Sequence, residues 1–94
     1  MDPPSYGRGT KGQIWKIEKM LWPLITSCRD ILSNDPLFFL VNTYTTGLGV
    51  TVMRNILESA LENLGGKITS DELSVLISSG NMFLPAGITA RWHK

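Results

Sequence analysis

The stretch PLFFLVNTYTTGLGVTVM, from Pro36 to Met53, contains no charged residue. So long an uncharged run must leave water, inside a protein core, an assembly or a bilayer, and about 18 residues is where a membrane-spanning helix becomes possible. Asn42, Tyr44, four threonines and two glycines make the run only moderately apolar, which favours burial within protein. Thr43, Gly47 and Thr51 fall at the four-residue spacing that lets membrane helices pack closely, so a single span near 37–57 is the alternative. The β-branched VNTYTTG part also fits a buried strand.

The flanking segments carry helical periodicity. Ile14, Ile17, Leu21, Leu24, Cys28 and Leu32 form one face of a helix over 13–32, kinked at Pro23. Trp15 and Trp22 share a second stripe beside it, readable as a wide buried face or as an aromatic contact surface. After the Ser33–Pro36 break, a second helix is expected over 36–64, with an interruption near Gly47 and Gly49. Its clearest part is the stripe Val52, Met53, Ile56, Leu57, Ala60, Leu61 and Leu64, ended by Gly65 and Gly66. Thr69 followed by Glu72 reads as a capping box opening a third helix over 70–79, which closes an αα-hairpin. The expected fold is mainly α: three or four helices in a domain over 13–80, an extended arm over 1–12 and an extended tail over 81–94 anchored by Met82, Phe83 and Leu84.

Chemistry is sparse. Cys28 and His93 are single residues of their types, the carboxylates are scattered, and the glycines of TGLGVTV lack the third glycine of a dinucleotide fingerprint. No catalytic residue, metal site or cofactor is expected, and the chain reads as a non-enzyme without a small-molecule substrate. With 43% hydrophobic and 18% charged residues the chain is poorer in charge than average, so contacts with other subunits or with itself are expected. The formal charge of +1 provides no overall field for nucleic acid, although both ends are locally basic, and nucleic acid is not the expected partner. One cysteine and no signal peptide point to an intracellular, reducing compartment, with the protein in a soluble assembly or on a membrane.

Two resemblances are confined to short segments. LENLGGKITSDELSVLI resembles the linker and following helix of EF-hand proteins. The corresponding loops, from Thr45 and from Asn81, lack the carboxylates that calcium requires. PPSY at 3–6 is similar to the P-P-x-Y peptides that dock in WW-domain grooves, also carried by viral matrix and Gag-like proteins; this implies a peptide ligand with Tyr6 as its anchor.

The leading expectation is therefore a small non-catalytic assembly subunit, with a membrane subunit and a WW-binding adaptor as alternatives. The residues expected to touch partners are Pro3, Pro4, Tyr6, Trp15, Trp22, Met82, Phe83 and Trp92.

Overall fold

A computed structural model describes residues 1–45 and 47–94. The chain builds a hairpin of β1 (Tyr6–Arg8) and β2 (Ile14–Lys16), helix α1 (Ile17–Asp30), strand β3 (Phe38–Thr43), helix α2 (Val50–Leu61) with a 3-10 turn over Glu62–Leu64, and strands β4 (Lys67–Leu76) and β5 (Phe83–His93). The larger sheet has the order β3-β5-β4, with β5 antiparallel to both neighbours.

Both helices pack on one face of this sheet. Ile17, Leu21 and Ile25 of α1 and Met53, Leu57, Ala60 and Leu61 of α2 bury against Phe39 and Val41 of β3 and Ala90 and Trp92 of β5. Period-2 alternation puts Phe39, Val41 and Thr43 inward from β3, and helical spacing does the same for the two helices. The indole N–H of Trp92 donates to the carbonyl of Gly65 at 2.6 Å, which ties β5 to the end of α2. α1 continues through Pro23, and the Thr26 hydroxyl donates to the Trp22 and Pro23 carbonyls at 3.1 and 3.0 Å.

The fold is α/β, which corrects the expected mainly α class. The capping-box segment 70–79 lies in β4 and the turn after it: register pairing from Lys67↔His93 to Leu76↔Phe83 outweighs a cap that contributes about 1 kcal/mol. The expected αα-hairpin is thus a β-hairpin, closed by Ile77 N–H donating to Met82 O at 3.0 Å. The tail over 81–94 is the central strand β5, and the arm over 1–12 folds into the β1–β2 hairpin, where Gly12 takes a positive φ of 81°. The uncharged run is divided between β3, a loop and the first turn of α2. The helix expected over 36–64 therefore begins only at Val50, and Thr46 of that run lies outside the described residues. Among the described residues, no helix is long and apolar enough to cross a membrane.

One hairpin leaves the body. Leu73, Val75, Leu76, Met82, Phe83 and Leu84 are all more than a third exposed, and the radius of gyration of 14.9 Å exceeds the roughly 12 Å of a compact chain this long.

Candidate functional site

Residues 1–6 lie against the exit end of β3. The Met1 ammonium donates to Leu40 O at 2.6 Å and Asn42 N–H donates to Met1 O at 3.0 Å. One residue bonding to the two neighbours of Val41 is the ladder of a parallel bridge, so the chain leaves Met1 in the direction in which β3 runs. Asp2 and Tyr44 therefore both lie just beyond the carboxyl end of β3, Asp2 directly after the one residue that bridges to that strand.

Four contacts fix this edge. Tyr44 donates its hydroxyl to Asp2 Oδ2 at 3.0 Å, and the Ser5 and Thr45 hydroxyls share a hydrogen bond of 2.6 Å. Trp15 donates its indole N–H to Pro4 O at 2.6 Å, and Ile17 N–H donates to Ser5 O at 3.1 Å. The turn Asp2–Tyr6 is thereby held between the start of α1 and the loop after β3, with Pro3 buried beneath it. The adjacent Asp2 carboxylate, by its hydrogen bond first and its charge second, raises the Tyr44 hydroxyl above the ordinary 10.0.

A cavity of about 560 Å³ opens beside the turn, with Pro3, Pro4, Arg8, Gln13, Trp15 and Met20 in its wall. A second, of about 420 Å³, lies across the Tyr44 loop and is lined by Thr43, Val50, Glu72 and Gly87 among others. The first is mostly apolar with an arginine and an amide, which suits a flat organic group; the second is more polar.

The residues singled out from sequence fall in several places. Pro3, Pro4 and Trp15 converge on the first cavity, and Tyr6 stands nearby on β1, 53% exposed. Trp22 is exposed on α1, and Met82 and Phe83 lie on the projecting hairpin. Trp92 is in the core, 2% exposed, facing the helices. Asp2, Tyr44, Ser5 and Thr45 are not among the contact residues expected from the sequence. Their pairing across some 40 positions has no local signature; the available signal was an acidic residue directly before the two prolines. Among the described residues, no group of three or more His, Cys, Asp and Glu is placed to hold a metal ion.

No protein-family model matches the sequence, and no curated protein matches it. Among solved structures the chain is similar to the SAM dependent methyltransferase from Agrobacterium tumefaciens, with a TM-score of 0.88 and 27% identity over 98% of this chain. The chain spans 31% of the length of that methyltransferase.

This likeness, with the α/β architecture, overturns the expectation of a non-catalytic helical assembly subunit and of a non-enzyme. The two alternatives fail on the same structure. The proposed span is divided between strand, loop and helix, and PPSY has Pro3 buried and the Pro4 carbonyl occupied by Trp15, whereas a WW ligand must present a free polyproline ridge.

Proposed function

We propose that this chain is the acceptor-side part of a methyltransferase that uses SAM (S-adenosylmethionine). The observation that carries the reading is the match to a SAM dependent methyltransferase over 98% of the chain at 27% identity. The Asp2–Tyr6 turn, held beside the carboxyl end of β3 and next to a mostly apolar cavity, supports it.

The residues of this chain do not by themselves fit the cofactor. A nucleoside held at a strand end needs a glycine turn closing on a helix and a carboxylate for the ribose hydroxyls. The cavity beside Trp15 is lined by no carboxylate, and Asp2 is not among its lining residues. The chain's own contribution is therefore to receive the group that becomes methylated. Tyr44 holds one oxygen of Asp2, and Oδ1 has no protein hydrogen bond among the described residues, so it is free to accept a hydrogen bond from an acceptor N–H or O–H. Such a bond would orient the acceptor lone pair and hold its proton at Asp2 Oδ1. Pro3, Pro4 and Trp15 supply an apolar wall in the neighbouring cavity.

The test is transfer of labelled methyl from SAM to acceptors in an extract of the source cells, using the protein purified from that source with whatever chain accompanies it. Incorporation is expected, falling about 100-fold in Asp2→Asn. No incorporation above a heat-inactivated control refutes the reading.

A further inference from the structure

The face of the large sheet turned away from the helices carries a different chemistry. The register places Phe38, His93 and Lys67 in one row across β3, β5 and β4, and Leu40, Arg91 and Thr69 in the next. Directly opposed residues share a face, so these six side chains lie together on the side opposite Phe39, Trp92 and Ile68. Phe38 is 64% exposed there.

A cavity of about 540 Å³ on this face is lined by Leu37, Phe38, Leu40, Arg91, His93 and Lys94, with no carboxylate among them. Lys94 is paired with Asp35, but Arg91 and Lys67 form no ion pair among the described residues. The acidic residue nearest in the pattern is Asp71, in the following row with Thr89 and Asn42. An exposed aromatic ring with Arg91 beside it in the cavity and Lys67 two strands away in the same row therefore lies apart from the Asp2–Tyr44 edge, at the opposite end of β3.

We propose that this sheet face binds single-stranded nucleic acid, with a base stacked on Phe38 and backbone phosphates on Arg91 and Lys67. Charge complementarity selects an anionic partner. The aromatic ring selects one with an exposed planar face, which duplexes keep within their own stack. The basic stretch RWHK carries its own aromatic residue, Trp92. Strand alternation turns Trp92 into the core and brings Phe38, 55 positions before His93, into its place. The inference stands independently of methyl transfer, since it concerns binding at another face.

The test is fluorescence anisotropy of a labelled oligothymidylate of about 12 nucleotides, within the site sizes of single-strand platforms. Saturable binding is expected at low salt, with log K falling against log salt at a slope of about −1.4 for two phosphate contacts. Arg91→Ala should lower the slope by about 0.7. Phe38→Leu should weaken binding about tenfold at unchanged slope, and Phe38→Tyr should restore it. Arg54→Ala, which removes a cation from the helical side, should change nothing. No saturable binding at low salt, equal loss in Arg54→Ala, or unchanged binding by a folded Phe38→Leu protein overturns the proposal. Competition by a duplex or a mononucleotide as strong as that of the single strand overturns it also. Circular dichroism of each variant, with Arg91→Lys as the charge-conserving partner, separates lost contacts from lost structure.

Discussion

The Tyr44 hydroxyl and the Asp2 carboxylate meet at 3.0 Å across 42 positions of chain, just beyond the end of β3. The contact disfavours the phenolate beside a carboxylate. With its value raised in the folded state, Tyr44 adds stability that is fully present below the ordinary 10.0 and lost as pH rises through the raised value. In a Tyr6→Phe background Tyr44 is the one tyrosine, and its ultraviolet titration should move to lower pH on Asp2→Asn. An unmoved midpoint would mean that the pair does not form in solution.

Gly87 has a φ of 103°, and a β-carbon there would meet the Thr43 carbonyl and the Tyr44 ring, the latter at 2.8 Å. Gly87→Ala should cost about 2 kcal/mol from backbone strain and displacement of the Tyr44 loop. Urea denaturation gives the value, and a loss below about 0.5 kcal/mol would show that this approach is looser than described.

Trp92→Phe keeps most of the buried ring but removes the donor to Gly65 O. The orphaned carbonyl and the small void should together lower stability by about 2 kcal/mol, roughly 10 °C in melting temperature. A melting curve that overlays the wild type would contradict the core position of Trp92.

The Thr43 hydroxyl is buried without a partner among the described residues, on a residue 1% exposed. Thr43→Val has nearly the same shape and a strand-favouring side chain, so it should raise stability by about 1 kcal/mol. A loss of stability would reveal a hydrogen bond to that hydroxyl.

Val75 faces Leu84 across the projecting hairpin and Leu76 faces Phe83 on its other side. Replacing Val75 and Leu84 together by threonine should leave the unfolding free energy within about 1 kcal/mol, because neither side chain is in the core. A larger loss, read from denaturant unfolding, would place this pair in a packed interior.

The helices were the legible part of the sequence. The recurrence of Ile17 and Leu21, and of Met53, Leu57, Ala60 and Leu61, is set by local spacing, and those residues are buried. β4 was hidden because TSDEL satisfies a helix cap locally while its strand partners lie in the following segment. β5 had a signal that was passed over: Ile88, Ala90 and Trp92 alternate with Thr89, Arg91 and His93, a period of two masked by Pro85 and Gly87 just before it. The candidate site was legible only in half, since Pro3, Pro4 and Trp15 could be singled out as apolar anchors. Asp2, Ser5, Tyr44 and Thr45 acquire meaning only once the parallel bridge at Met1 brings two distant loops side by side.

β5 is the middle strand, yet it follows both of its neighbours in the chain. During synthesis β3 and β4 therefore emerge with no strand between them, and the sheet can close only after most of β5 has been made. Until then the uncharged β3 is an unpaired edge awaiting a distant partner, a contact that forms slowly and leaves a window for association with other chains. A nascent chain stalled before Phe83 should thus be a client for chaperones.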